Sequence, residues 1–411
     1  MTGVPTDPPA GQRRFRPASL DAVNFLAADV RGAVGPYLNV FLVTQRHWSQ
    51  SEVGLVTTIA GLLGLLVQTP IGAAIDASRH KRGLIVLALA VLAVTAAVIF
   101  GWPSFWPVAM ANSLMAIAGD VFGPAVAALT LGLFARAQLA RRMGRNAAFD
   151  HAGNVAIALA AGAVGYLFTQ RAVFLLVPVF AALTAAAVLS IPGKAIDNDR
   201  ARDLEAGAGT QSDAAGYGVL LHTRPLVIFG LCAMLFHFAN AALLPLVGQK
   251  LALAHPKEAT AMMSACIVAA QLVMLPIALL VGRTADSWGR KPLFLAGFAI
   301  LPVRAVLYTL SDDSIWLIGV QVLDGVGAGI FGAITPLLIA DLMRGTGRYN
   351  LAQGAVATAQ GVGASLSGLA AGVIVDHAGY TPTFLTLGAA AAVAFGVFLV
   401  WMPETAPRAA A

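Results

Sequence analysis

The sequence predicts an all-α integral membrane protein of twelve transmembrane helices, arranged as two pseudo-symmetric six-helix bundles. Three observations predict it. The chain has 411 residues, 58% hydrophobic and 11% charged; apolar runs long enough to cross a bilayer follow one another along it; and its first half repeats in its second. Soluble domains carry about 25% charged residues. A helix of about 20 apolar residues spans the roughly 30 Å hydrocarbon core, and the runs leave no room for a sizeable soluble domain.

The runs place spans at 20–43, 51–76, 83–101, 105–134, 144–168 and 172–191, then at 224–249, 259–283, 292–310, 314–343, 349–375 and 380–402. The expected organisation is a cytoplasmic tail (1–19), an N-terminal bundle (20–191), a cytoplasmic linker (192–223), a C-terminal bundle (224–402) and a short tail (403–411). The N-terminal tail is polar and proline-rich, with no apolar core before a cleavage site, so it does not read as a signal peptide. The linker is rich in charge, Gly and Ala, as an exposed connection is.

Of the 26 Lys and Arg residues, 20 fall on one side of this topology. Four fall on the other (Arg46, Arg171, Lys250, Lys257), and Arg31 and Arg304 lie within spans. Cytoplasmic loops carry the basic excess, so both termini are expected in the cytoplasm and the protein in the inner membrane. The net charge of +6 is spread over short clusters rather than one patch, which argues against a nucleic-acid partner. Cys232 and Cys266 sit inside apolar runs and match no metal framework or disulfide pattern. No P-loop, zinc-protease motif, nucleophile elbow or ligand cluster occurs, so neither an enzyme, a cofactor nor a metal is expected. Gly325, Gly327 and Gly329 follow no strand and lie inside an apolar span; with Gly361, Gly363 and Gly368 they read as helix-packing surfaces.

The repeat has a near-constant offset. Asp76 and Asp286 are 210 residues apart, VFGPAVAALTLGLF lies over IFGAITPLLIADLM at 209, and Ala160-Ala161-Gly162 lies over Ala370-Ala371-Gly372 at 210. Duplicated halves of this kind place a transport site near the midplane, at their interface.

After span 8, Gly282, Asp286, Gly289, Arg290 and Lys291 match the G-x-x-x-D-(R)-x-G-R-K loop signature, with Ser287 where an arginine is usual. After span 2, Gly72, Asp76, Lys81 and Arg82 remain of a second copy. On these residues the chain resembles the major facilitator superfamily over essentially its full length. The resemblance implies that family's fold and a loop that braces the two halves in one conformation. Two features differ from the family's proton-coupled and drug-exporting members. Span 4 carries Asp120 and no arginine, and span 5 lacks a Gly-Pro pair.

Polar residues inside spans are costly and usually line a wet cavity or find a partner. Asp29 and Arg31 lie mid-span on span 1, about 200° apart on a helix and so on different faces. Arg31 shares a stripe with Asn24 and Gly35. Two readings of the pair stand: a salt bridge that fixes packing, and a carboxylate that takes up a proton. Asp120 lies at a depth where it also reaches Arg31. Asn146, Asp150 and Asn154 form a stripe on span 5 beside His151, suited either to the cavity or to anchoring the arginine loop. Further polar positions are Thr57, Gly61, Gly64 and Gln68 on span 2, and His237 with Asn240 on span 7. Ser264 and Gln271 lie on span 8, Gln321 and Asp324 on span 10, and Gln353, Gln360 and Ser367 on span 11. Spans 3, 6 and 12 are nearly bare. Arg304, near Asp312 and Asp313, is expected to snorkel to the headgroups at the outer end of span 9.

These readings converge on a proton-coupled secondary transporter working by alternating access, with a small organic solute, protons and the bilayer as partners and a monomer as the functional unit. Asp29, Asp120, Asp150 and Asp324 are the proton-coupling candidates. Asn24, Arg31, Gln68, His151, Asn154, His237, Asn240, Gln271, Gln321 and Gln360 are the substrate-binding candidates. Export of a metabolite or drug-like compound is the preferred direction. Uptake of an organic anion, a carboxylate or metal chelate, is the alternative, and a non-transporting receptor or scaffold is a second one.

Overall fold

The computed structural model describes residues 16–28, 34–198, 222–346 and 348–406. Among them the first half contains α1 (Pro17–Ala27), α2 (Val34–Arg46), α3 (Gln50–Ala77), α4 (Lys81–Gly101), α5 (Phe105–Gly119), α6 (Phe122–Leu133), α7 (Arg136–Leu167) and α8 (Leu176–Ser190). The second contains α9 (Arg224–Asn240), α10 (Leu243–Ala254), α11 (Ala259–Trp288), α12 (Arg290–Leu310), α13 (Ser314–Leu342), α14 (Tyr349–Ala378) and α15 (Tyr380–Trp401). Eleven segments of the described residues are long and apolar enough to cross a membrane, with α5–α6 and α9–α10 counted as one each. Helices α1 and α2 lie on either side of residues 29–33, within the first of the twelve expected spans.

Helix α7 starts well before the expected 144, and α11 runs past the expected 283. Residues 136–143 are rich in Arg, Ala, Gln, Leu and Met, all good helix formers, so the helix continues where the apolar run has ended. The duplication is not exact. Span 4 breaks at Asp120–Val121, whereas its counterpart α13 is unbroken. Span 7 breaks at Ala241–Ala242.

Each bundle has its own apolar core, with Phe41, Phe122 and Phe174 in the first and Phe229, Phe294, Phe298 and Phe398 in the second. Helices α4, α8 and α15 pack on the periphery of their own bundles. The bundles meet through α3 with α14, α7 with α11, and α2 with α10 and α11.

Glycines map that contact. A Cβ at Gly54 would sit 2.4 Å from Gly368 O, one at Gly372 2.3 Å from Gln50 O, and one at Gly361 2.3 Å from Leu65. On the other seam, a Cβ at Gly165 would meet Thr260 at 2.2 Å and one at Gly162 would meet Ser264 at 2.7 Å. Further along the same four helices, Gly72, Gly144, Gly282 and Gly354 would meet nothing within 4 Å. The bundles therefore touch at the face bearing the 47–49 and 255–258 turns. They part at the face bearing the turns after α3 and α11, where the described chain also begins and ends.

The signature loop lies on the parted face. Gly289 has φ +87°, the left-handed region open to glycine, and Arg290 opens α12. The Arg290 side chain pairs with Asp286 at 2.8 Å and with Asp341 of α13 at 3.1 Å. Glu404 accepts hydrogen bonds from the N–H groups of Arg290 (2.8 Å) and Lys291 (3.1 Å), capping α12. All these groups belong to the second bundle. In this conformation the loop braces α12 to α13 and to the C-terminal segment, and makes no bond to the first bundle among the described residues.

Burial pushes the Glu404 pKa up, but the N–H donors of Ala406, Arg290, Lys291 and Thr405 outweigh it and hold the carboxyl below its usual range. A depressed carboxylate stabilises the fold above its unfolded pKa, and that contribution is lost as pH falls through the folded value. Glu404→Gln is expected to lower stability by about 1 kcal/mol at neutral pH, the scale of a lost helix cap. Thermal melts of wild type and variant should converge as the pH falls below the ordinary carboxylate range.

Candidate functional site

Between the bundles, α2, α3, α10, α13 and α14 line a cavity of about 370 Å³. Asn39, Gln50 and Thr57 face it from the first bundle, and Asn240, Gln249, Asp324 and Ser365 from the second. Gly35 and Pro36 at the start of α2, and Ala241 and Ala242 in the break of span 7, complete the wall. Irregular backbone at membrane depth is tolerated where it lines such a cavity. Gln50 donates to Tyr380 Oη at 3.1 Å, and Thr57 donates to the carbonyls of Val53 and Gly54. The carboxamide oxygens of Asn39 and Gln249 are buried and have no hydrogen-bond partner among the described residues.

Behind the cavity lies a charged cluster. Arg304, 2% exposed, donates through Nη1 to Asp324 (2.5 Å) and Asn240 (2.7 Å), through Nε to Tyr308 Oη (2.9 Å), and through Nη2 to Gln321 (3.5 Å). This corrects the expectation that Arg304 snorkels toward Asp312 and Asp313. Position 304 lies two turns inside the end of α12 at Leu310, too deep for the headgroups, and Lys250 takes Asp312 instead. A guanidinium at that depth persists because four oxygens surround it and a carboxylate balances its charge. The Asp324 side chain remains 18% exposed, at the edge of the cavity.

Bonds between the bundles fasten the closed face and continue past the cavity to the middle of α7 and α11. Asp376, at the end of α14, accepts from Gln50 N (3.0 Å), Ser51 N (2.7 Å) and Ser51 Oγ (2.5 Å), which caps α3 across the interface. Tyr37 and Ser264 share a 2.7 Å hydroxyl bond, Thr58 donates to Ser365 O at 2.6 Å, and His151 Nδ1 lies 2.8 Å from Gln271 Oε1.

The sequence matches the Major Facilitator Superfamily over residues 20–278 and 256–411. The chain belongs to that superfamily. An uncharacterized MFS-type transporter of Mycobacterium tuberculosis is 49% identical over 389 residues, covering 94% of this chain and 93% of that one. A putative sugar efflux transporter of Deinococcus radiodurans is 25% identical over 379 residues, covering 89% and 92%. The solved structure of the nucleoside transporter NupG superposes with a TM-score of 0.75 at 12% identity, covering 93% of this chain and 98% of that one. At that identity the likeness shows the major facilitator fold and no more.

Within that fold the expected polar residues fall into separate places. Asp29 and Arg31 lie outside the described residues, as does any pairing of Arg31 with Asp29 or Asp120; the Asp76 side chain is likewise outside them. Asp120 sits at the break of span 4, where a Cβ on Gly64 would come within 3.2 Å of its Oδ2. Its carboxylate has no hydrogen bond or ion pair among the described residues. Asn24, Asn146, Asp150 and His151 line a second pocket of about 290 Å³ inside the first bundle. Asn24 donates to Leu20 O at 2.7 Å, and Asn154 lies 3.4 Å from Asp150.

Asn146 accepts from Arg142 (2.8 Å) and donates to Thr130 (2.9 Å), while Arg142 and Arg145 clasp Asp21 of α1. Of the two readings of that stripe, Asn146 follows the anchoring one. His237 bonds back to Ala233 O at 2.9 Å and packs edge-on against Phe236 and Phe331, away from the central cavity. Gln68 is exposed and Gln360 half-buried, and neither lines the cavity. Of the expected residues, Asn240, Gln321 and Asp324 come together, around Arg304.

Sequence reasoning passed over Asn39 and Gln249, each a lone polar residue in an apolar run. A signal was there: they are 210 residues apart, the offset of the repeat.

Proposed function

We propose that the protein is a secondary active transporter that carries a small organic solute through the cavity between its bundles, by alternating access and coupled to protons. One observation carries this reading: the bundles touch along both seams at one face and part along both at the other, with the polar cavity between. Most of the chain's Lys and Arg belong to the parted face, so it is read as cytoplasmic and the conformation as inward-open. The membrane is taken to be the inner membrane and the unit a monomer. Export is the direction we favour, in keeping with the name of the Deinococcus relative, a putative sugar efflux transporter.

Asp324 is the coupling residue the geometry favours, ahead of Asp29, Asp120 and Asp150. It touches the cavity and Arg304 at once, so taking up a proton there loosens the cluster on which Asn240 also depends. In proteoliposomes with an imposed pH gradient, tested with radiolabelled saccharides and nucleosides, wild type should accumulate solute against its gradient. Asp324→Asn should reduce that accumulation to background, and because it leaves the buried Arg304 guanidinium without its counter-charge it should also lower the melting temperature. Full gradient-driven accumulation by the variant would remove Asp324 from the coupling role.

A further inference from the structure

Asn39 on α2 and Gln249 on α10 lie in matching helices of the two bundles, within one residue of corresponding positions, and line one cavity from opposite sides. They are 9% and 2% exposed, and neither carboxamide oxygen has a partner among the described residues. The other amides in the wall are engaged, Gln50 with Tyr380 and Asn240 with Arg304. Buried polar groups are almost always hydrogen-bonded, and one that is not calls for an explanation in function. Two such residues, in matching helices of the repeat and lining the same space, share a single explanation.

We infer that Asn39 and Gln249 form a two-sided carboxamide clamp for an uncharged solute bearing hydroxyl or amide groups. The assignment rests on the cavity being the transport site. Charge selects the class. Asp324 is the one charged side chain among the described lining residues, and Arg304 already balances it. An anionic or cationic solute would shed its water against described lining residues that offer no free counter-charge, which is unfavourable at this depth. A carboxamide presents both a donor and an acceptor, the pairing that a hydroxyl or an amide needs. Because each bundle supplies one jaw, the solute is gripped from both sides only while α2 and α10 stay together, so parting that face releases it.

The test uses the purified full-length chain in nanodiscs, with binding measured by calorimetry and thermal shift against matched probes. D-glucose is compared with glucuronate and glucosamine, lactose with lactobionate, and uridine with uridine monophosphate. At least one neutral member should bind more tightly than its charged counterparts. Asn39→Leu and Gln249→Leu should each weaken that binding about tenfold, the scale of one lost buried hydrogen bond. Asn39→Asp, nearly the same size, should shift preference within the glucose set toward glucosamine, a readout that loss of folding would not produce. Binding of no neutral probe, equal or tighter binding of the anions, or unchanged affinity in both leucine variants overturns the clamp. Gradient-driven transport of an anion would overturn the clamp and leave secondary transport standing. Selective neutral binding without transport of any probe would sustain the clamp and overturn the transport reading.

Discussion

Arg304→Met is expected to destabilise the protein by roughly 3–5 kcal/mol, the cost of stripping the partner from a buried ion. The residue is 2% exposed, and its guanidinium joins Asp324, Asn240, Gln321 and Tyr308. Removing it leaves the Asp324 carboxylate beside Asn240 with no cation, in a setting where water reaches it only through the cavity. The companion variant separates charge from packing. Arg304→Met combined with Asp324→Leu removes both ions at similar volume and should recover most of the loss, because replacing a whole buried pair by apolar groups is often neutral. Fluorescence-detected melting of the detergent-solubilised proteins compares the two. A single variant that melts with the wild type would mean that the cluster is solvated rather than buried.

Gly54→Leu is expected to abolish transport while leaving the fold intact. A Cβ at Gly54 would lie 2.4 Å from Gly368 O and 2.8 Å from Leu369 Cα. Those are backbone atoms of α14 and cannot swing aside, so the added side chain must wedge α3 and α14 apart. Overpacking of this kind costs about 1–3 kcal/mol within a core; here it acts on a seam that has an alternative, the parted conformation. The closed face should open, and a cysteine placed at Ser51 should react faster with a membrane-impermeant thiol reagent than in wild type. Gly72→Leu is the control, since its Cβ meets nothing within 4 Å; it should leave the Ser51 cysteine as protected as before. Equal reactivity in both variants would show that the glycine seam does not hold the face shut.

The fold was legible because hydrophobic spans and a constant repeat offset are properties of the chain itself. The helix breaks were less so. Span 4 and span 10 align well in sequence, yet one is interrupted at Asp120–Val121 and the other is continuous. The site was legible in part. Spacing put Gln321 and Asp324 on one face and singled out Asn240, and the structure gathers all three. The residue that gathers them, Arg304, was placed at a helix end, because a single sequence shows how deep a residue lies more readily than what stands opposite it. Asn39 and Gln249 were missed for a related reason: a lone amide in an apolar run has no periodicity. Its significance appears only when the two halves are superimposed on one cavity. Asp29 and Arg31, the pair that first suggested a polar path, fall outside the described residues; the polar cavity that is described is lined from α2, α3, α10, α13 and α14, with Arg304 of α12 behind it.

The measurement that tests alternating access most directly is a pair of spin-label distances in one preparation, Thr169 to Lys257 across the closed face and Gly144 to Arg283 across the parted one. With solute and a pH gradient, the first distance should lengthen as the second shortens, in reciprocal proportion. Two distances that stay fixed, or that lengthen together, would contradict the rocking of the bundles about the central cavity.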